Sequence, residues 1–174
     1  MVPIYKNKGN IQGCTNYLGI KLMSHAMKLW KRVIEHRLRA ITRVSMNQFG
    51  FMPERSTMEA IFLIRQVMER YRKKKKGLHM IFIDLEKAYD KIPMNVMWWA
   101  LDKHKVPTEY VGLIEDMYNN IVTSVQTSDG DTDDFPIRIG LHQGSALSPY
   151  LFALVMDEVT RNMVYAFRRR CSAS

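Results

Sequence analysis

HMIFIDL, residues 79–85, is apolar except at its first residue and at Asp84. A short apolar run of this kind is typical of a central β-strand that is covered on both faces. Asp84 therefore stands at the end of a predicted buried strand, where a carboxylate is costly unless it is paired, hydrogen-bonded or metal-bound. Two interpretations remain open: a strand-end residue that faces water or caps the next turn, or a ligand for Mg²⁺, which prefers carboxylate oxygens.

Helical periodicity flanks this strand on both sides. Apolar residues at spacings of three and four predict a helix over Ser24–Arg43. A capping box formed by Ser56 and Glu59 begins a second predicted helix, which ends at about Gly77. Further helices are predicted over residues 95–103, 108–119 and 149–165.

A hairpin is predicted between the last two of these helices. Val122–Thr127 and Phe135–Ile139 read as its two strands, with Asp129-Gly130 in the turn. The strand at residues 79–85 is expected to pair with this hairpin. Helices and strands in mixed order, including a hairpin, indicate an α+β fold.

Composition and charge narrow the class of partner. The 174 residues include 26 Lys and Arg against 17 Asp and Glu, a net charge of +9, which favours a polyanionic partner such as nucleic acid. The apolar runs are shorter than the roughly 20 residues that a membrane span needs, and the first residues lack a signal peptide's apolar core. Cys14 and Cys171 stand alone, so we expect no disulfide framework, an intracellular location (nucleus or cytoplasm) and no membrane partner.

Two longer blocks carry the chemistry. FIDLEKAYDKI (Phe82–Ile92) contains Asp84, and GLHQGSALSPYLF (Gly140–Phe152) contains Gly140 and Gly144, which permit close backbone approach and positive φ. In the second block, Gln143 offers both a hydrogen-bond donor and an acceptor. A nucleophilic role for Ser145 is disfavoured, because its flanks lack the G-x-S-x-G pattern.

These blocks resemble the first two polymerase motifs of non-LTR (LINE-like) retrotransposon reverse transcriptases, F-x-D-x-x-K-A-F/Y-D and G-x-x-Q-G-x-x-x-S-P. Two upstream segments, NYLGIKL (Asn16–Leu22) and QFGFMPERST (Gln48–Thr57), are similar to the finger motifs of the same family. The four blocks stand in the family's order. The resemblance implies a fold of helical fingers (residues 1–77) and an incomplete polymerase palm (residues 78–168).

The resemblance also assigns roles to individual residues. Asp84 would be the catalytic aspartate that binds the metal, with the backbone carbonyl of Leu85 as a further ligand. Tyr89 would stack under the incoming sugar and exclude a 2′-hydroxyl, while Gln143 and Gly144 would contact the template base or the nucleotide. The implied cofactor is Mg²⁺, and the implied partners are an RNA template, a DNA primer and deoxynucleoside triphosphates.

The sequence also departs from the family's pattern. Leu18 replaces the Arg that contacts the triphosphate, Glu54 replaces a Gly, and the F/Y-A-D-D block expected after the last helix does not appear. Two-metal catalysis needs several converging carboxylates, and the resemblance assigns metal binding to Asp84 alone among the acids of these motifs. We therefore expect a truncated reverse transcriptase domain that is inactive alone and does not by itself hold Mg²⁺.

Two further hypotheses remain open. One is a non-catalytic basic module that binds RNA or DNA, in which Lys73, Lys74, Lys75 and Lys76 contact phosphates; the same run would otherwise be a solvated helix end. The other is a relic of a decayed element, which Leu18 and Glu54 suggest. Lys87 and Asp90 match the first polymerase motif, either as catalytic residues or as an ion pair beside the site.

Overall fold

Helices supply most of the ordered structure. A computed structural model describes residues 1–10, 12–13, 16–119, 121–127 and 130–171, the last ten by their backbone alone. Its helices are α1 (His25–Ile41), α2 (Thr57–Lys73), α3 (Ala88–Lys91), α4 (Met94–Lys103), α5 (Thr108–Tyr118) and α6 (Leu147–Cys171). Its strands are β1 (Val2–Tyr5), β2 (Tyr17–Ile20), β3 (Val122–Thr123), β4 (Gln126–Thr127), β5 (Gly130–Asp131) and β6 (Phe135–Pro136). Mixed helix and sheet content agrees with the predicted α+β class.

One hydrophobic core lies between the later helices. α1 and α4 both pack against α6, and α5 closes the same core. Met97 of α4, Ile114 of α5 and Leu151 of α6 are fully buried there. The loop before α6 reaches this core through Leu141, so the loop that carries Gln143 is anchored on packed helices.

Helix α1 confirms the helix predicted over Ser24–Arg43, and part of its apolar stripe faces inward. Ser24 is its N-cap and accepts a hydrogen bond from the backbone N–H of Met27. Its buried residues are Lys31, Ile34 and Leu38, of which the two apolar ones belong to the pattern that predicted the helix. Three other apolar residues of that pattern are exposed, namely Met27, Trp30 and Ile41.

Helix α2 stands off the core. The Ser56 side chain accepts a hydrogen bond from the Glu59 N–H at 3.2 Å, as the capping box predicts, but the Glu59 carboxylate pairs with Arg55 instead of returning to the cap. No residue of α2 is buried. The helix is capped by Lys74, three residues before Gly77.

The sheet structure consists of short antiparallel ladders. β1 pairs with β2, β3 with β6, and β4 with β5, which confirms the predicted hairpin between α5 and α6 in a shortened form. Asp129 of its turn lies outside the described residues, as does Cys14. Met1, just before β1, connects the β1–β2 pair to the hairpin, because its backbone carbonyl accepts a hydrogen bond from the backbone N–H of Gln126 in β4.

The prediction of a covered central strand at residues 79–85 is wrong. The segment has no strand partner among the described residues, and Ile81 and Phe82 are 72% and 77% exposed. A β-strand forms only where a neighbouring segment completes its ladder of hydrogen bonds. Residues 79–85 were expected to pair with the hairpin, but among the described strands β3 of the hairpin pairs with β6. Apolarity identified a segment suited to a sheet interior, but it could not supply the pairing.

Two of the remaining helices follow their predicted boundaries closely, whereas α6 runs past its predicted end at residue 165 to Cys171 and the short α3 was not predicted. α4 and α5 match the predictions for residues 95–103 and 108–119 within one residue, and Pro149 lies in the first turn of α6. Of the helices in the described ranges, none is both long and apolar enough to cross a bilayer.

Glu54 adopts a left-handed backbone conformation, with φ of 60°. A side chain with a Cβ is strained there, whereas glycine is not. We expect Glu54→Gly to raise the free energy of unfolding by about 1 kcal/mol, measured by urea denaturation. Glu54→Ala is the matched control, because it removes the carboxylate but keeps the Cβ. Equal unfolding free energies for the two variants would contradict the assignment of strain.

Candidate functional site

The loop before α6 lies directly against the segment that follows Asp84. The Gly140 N–H donates to the Ile92 carbonyl at 2.9 Å, and the Leu141 N–H donates to the Tyr89 carbonyl at 2.9 Å. A Cβ at Gly140, where φ is +84°, would lie 2.4 Å from the Asp90 carbonyl oxygen. The two motifs, 50 residues apart in sequence, are therefore joined by a backbone contact that glycine alone permits.

A side-chain hydrogen bond reinforces this junction. The Gln143 amide donates to the Asp90 carboxylate, while Asp90 makes no ion pair with Lys87. The charged pair beside the site is instead Lys91 with Glu86, at 3.5 Å and exposed. Asp90 thus positions Gln143, an outcome that neither sequence interpretation of Asp90 included.

Asp90 and Gln143 border an open cavity of about 950 Å³. Its other walls come from the β1–β2 ribbon, through Tyr17 and Gly19, and from β4, through Gln126. A cavity of this volume is within the size range of ligand pockets.

Tyr89 occupies a fixed position beside the junction. Its ring lies 5.5 Å from that of Phe152 and 6.4 Å from that of Phe51, and the side chain is half-buried. Burial raises the pKa of Tyr89 to about 12, and a hydrogen bond with Ser148 offsets part of that effect. The tyrosine is therefore a neutral, oriented aromatic surface at neutral pH.

Asp84 and Leu85 lie outside this junction. Both are exposed, and Asp84 makes no hydrogen bond or ion pair with any described residue. No group of three or more potential metal ligands in the described part of the chain includes Asp84. A single exposed carboxylate does not fit a pair of Mg²⁺ ions, because the two ions require several converging oxygens.

Lys73, Lys74, Lys75 and Lys76 are exposed at the end of α2 and in the turn that follows. Lys74 is the C-cap and Lys75 has a left-handed φ of 50°. Four ammonium groups on a protruding helix end are accessible to a polyanion, and they also stabilise the negative end of the helix dipole. The structure places them on α2, away from the packed core.

Ser145 has no catalytic partner among the residues that the structure describes. Its hydroxyl accepts a hydrogen bond from the Leu147 N–H at 3.3 Å, and its side chain is buried. His142, three residues earlier, lies against the ring of Tyr118. Ser145 therefore supports the first turn of α6, as the absence of a G-x-S-x-G pattern suggested.

A buried charged cluster on the far side of the core could be mistaken for a metal site. His104, Asp157 and Glu158 bring their ligand atoms within 4.8 Å of one another. Arg161, however, contacts Asp157 at 2.7 Å and Glu158 at 2.8 Å, so a guanidinium already holds these two carboxylates. The Ser45 N–H also donates to Asp157, and the cluster fixes the end of α4 on α6.

Sequence reasoning missed a cationic pocket beside the junction. Lys21, Lys31 and His142 line a cavity of about 260 Å³ next to the N-terminus of α1. The signal was available in α1: Lys31 precedes Ile34 by three residues and Leu38 by seven, which puts it on their face. The apolar pattern of α1 left Lys31 out because the residue is charged.

The family model for reverse transcriptase (RNA-dependent DNA polymerase) matches residues 4–172. The chain belongs to the reverse transcriptase family. The match begins within β1 and includes β2, the two segments Phe82–Ile92 and Gly140–Phe152, and α6. The mixed helix and sheet architecture described above is thus a reverse-transcriptase-like domain.

Curated relatives are non-LTR retrotransposon proteins. The chain is 25% identical over 87% of its length to the Pol polyprotein of the type-1 element R2 of Popillia japonica, and 27% identical over 80% to the probable RNA-directed DNA polymerase from transposon BS of Drosophila melanogaster. It is 23% identical over 90% to an uncharacterized 149 kDa protein of transposon TX1 of Xenopus laevis. The chain spans 21%, 16% and 12% of these proteins, respectively.

The junction between the two motifs can be tested through its glycine. We expect Gly140→Ala to lower the free energy of unfolding by about 3 kcal/mol, because the new Cβ meets the Asp90 backbone in a left-handed conformation. The matched control is Gly112→Ala in α5, where nothing lies within 4 Å of the new Cβ. That variant should gain about 1 kcal/mol in a helix interior. Chemical denaturation measures both, and a neutral Gly140→Ala would refute the close approach.

Proposed function

We propose that this chain is the fingers and partial palm of an RNA-directed DNA polymerase from a non-LTR retrotransposon, and that it does not synthesise DNA by itself. The observation that carries this proposal is the junction of Gln143 with Asp90, which joins the two polymerase motifs in space. Family membership over residues 4–172 supports the same reaction class. The substrates would be an RNA template, a DNA primer and deoxynucleoside triphosphates.

The geometry supports distinct roles at the junction. Tyr89, held by Phe152 and Phe51, presents an oriented ring on which a nucleotide sugar could rest. Gln143 is fixed by Asp90 through its amide N–H, which leaves its carbonyl oxygen as an acceptor for a base or nucleotide. Gly144, exposed with φ of +92°, allows a ligand to approach the backbone closely.

Asp84 sets the limit of the chain acting alone. In this proposal Asp84 and the carbonyl of Leu85 contribute to a Mg²⁺ site, and Mg²⁺ would supply electrostatic stabilisation of phosphoryl transfer. Because no cluster of described carboxylates surrounds Asp84, further ligands have to come from elsewhere in the assembled polymerase. Residues 78–168 therefore act as a partial palm.

Primer extension tests the proposal. With oligo(dT) on poly(rA), dTTP and Mg²⁺, we expect the chain to incorporate no more nucleotide than its Asp84→Ala variant. The physical reason is that one carboxylate cannot hold two metal ions in place. Incorporation well above the Asp84→Ala level would overturn the proposed inactivity. A full-length retrotransposon polymerase in the same assay shows that the reagents work.

A second candidate function is a non-catalytic nucleic-acid-binding module. The exposed lysines at the end of α2, together with a net charge of +9, favour it. Contacts of this kind are made to phosphates, so they would be insensitive to base sequence. This candidate differs from the first in needing no contribution from Asp84 or Gln143.

A salt titration of RNA binding tests the module. Replacing Lys73 and Lys74 by Gln should reduce the slope of log Kd against log salt concentration by the amount expected for the loss of about two phosphate contacts. Fluorescence anisotropy with single-stranded RNA measures this slope. The matched control is the double variant Lys103→Gln and Lys105→Gln. It removes the same charge from exposed positions at the end of α4 and just after it. Equal slopes for the two double variants, or no RNA binding at low salt, would exclude the α2 end as a contact surface.

A further inference from the structure

Two ammonium groups share a cavity that contains no described acid. Lys21 and Lys31 both line the 260 Å³ cavity, together with Ser24 and Met27 at the start of α1. Neither lysine forms a salt bridge with any described carboxylate. Buried charges are normally paired, because leaving them unpaired costs several kcal/mol per ion. The pocket therefore concentrates positive charge without an internal counter-ion.

Lys31 is held in place from two sides. It is only 3% exposed, and its ammonium lies 3.2 Å from Nδ1 of His142. The ring of Tyr118 lies 5.8 Å from the same ammonium and stacks on His142 at 4.2 Å. A side chain fixed in this way is oriented before any ligand arrives, which lowers the entropic cost of binding.

Lys21 is the unsatisfied member of the pair. Its ammonium nitrogen is buried, yet it has no hydrogen-bond partner among the described residues. Its backbone N–H donates to the Gln143 carbonyl at 3.3 Å, which holds the lysine beside the junction of the two motifs. An ammonium carries three donors, so an oxygen-rich anion would satisfy what the protein leaves open.

The electrostatic state of the pocket follows from this crowding. Burial lowers the pKa of Lys31 to about 8, with a further contribution from Lys21, and burial also lowers the pKa of Lys21. Burial and then the two lysines lower the pKa of His142 to about 3, so the imidazole is neutral and accepts a hydrogen bond from Lys31. Each of these shifts is the response of a group that lacks a nearby negative charge.

We propose that Lys21 and Lys31 form a phosphate-binding site beside the Gln143 junction, which takes the phosphate of a nucleotide or of a nucleic-acid backbone. Its oxygens would accept hydrogen bonds from both ammonium groups. The start of α1 lines the same cavity and adds the positive end of a 17-residue helix. The site depends on these cations alone and not on polymerase activity, so it stands or falls separately from the proposed function.

Isothermal titration calorimetry with inorganic pyrophosphate tests the site on the full chain. We expect Lys21→Gln to weaken binding by about tenfold or more, since each charge-assisted hydrogen bond is a large part of the affinity for a small anion. The matched control is Lys28→Gln, because Lys28 is an exposed lysine of α1 that lies outside the cavity. This variant should bind pyrophosphate as the unmodified chain does. Equal affinity for Lys21→Gln and Lys28→Gln, or no binding by the unmodified chain at millimolar pyrophosphate, would overturn the proposal.

Lys31→Met provides a second, independent measurement. Removing a buried unpaired charge should raise the thermal midpoint in plain buffer, while the stabilisation by pyrophosphate should disappear. A merely structural Lys31 would give the opposite result, with loss of stability and a retained pyrophosphate effect. Sulfate, whose charge is constant above pH 6, should bind more weakly as the pH rises through about 8, because Lys31 then loses its proton.

Competition identifies the source of the phosphate. Displacement of pyrophosphate by a deoxynucleoside triphosphate but not by a single-stranded oligonucleotide assigns the site to nucleotides. Displacement by the oligonucleotide assigns it to the backbone. In both cases the displaced fraction should depend on Lys21, and displacement that is equally strong in Lys21→Gln would count against the site.

Discussion

The close approach of Gly140 to the Asp90 backbone is the constraint on which the site depends. Two backbone hydrogen bonds, from Gly140 to Ile92 and from Leu141 to Tyr89, fix the position of the two motif segments relative to each other. Only after this contact is made can the Gln143 side chain reach the Asp90 carboxylate. The order of causes runs from a missing Cβ, through backbone pairing, to an oriented amide.

The helical core transmits this constraint to the rest of the domain. Leu141 enters the core, and the next turn of chain leads into α6, which packs on both α1 and α4. His142 points to the other side of the loop, where it contacts Lys31 of α1. A single loop thereby positions an amide beside Asp90 and an imidazole beside Lys31, and a smaller cavity of about 140 Å³ between the two sites is lined by Lys21, Asp90, His142 and Gln143.

Sequence patterns predicted those parts of the fold that are governed locally. Apolar periodicity for α1 and the capping box of Ser56 for α2 placed these two helices within a few residues. The pairing of residues 79–85 could not be predicted in this way, since a ladder depends on a partner distant in sequence. The burial of Lys31 on the inward face of α1 was also missed, because Lys31 is a charged residue at a position that an apolar pattern discounts.

The candidate site divides along the same line. Gly140 and Gly144 were predicted to have positive φ, and both do, because that property belongs to the residue. The roles assigned to Asp84, Tyr89 and Gln143 by resemblance stay predictions, whereas the partnership of Asp90 with Gln143 required the tertiary structure. The Lys21 and Lys31 pocket was invisible to motif comparison, since its members come from three separate segments.

In the proposed function, strand pairing of residues 79–85 and metal binding would be coupled at Asp84. Metal ligands have to be held to within a fraction of an ångström, and strands achieve this through their ladder hydrogen bonds. Residues 79–85 have no ladder among the described residues, and their apolar side chains face solvent. A chain that paired with this segment would bury Ile81 and Phe82 and fix the Asp84 carboxylate in the same step. The free energy of covering this segment would therefore be available to organise the proposed metal site.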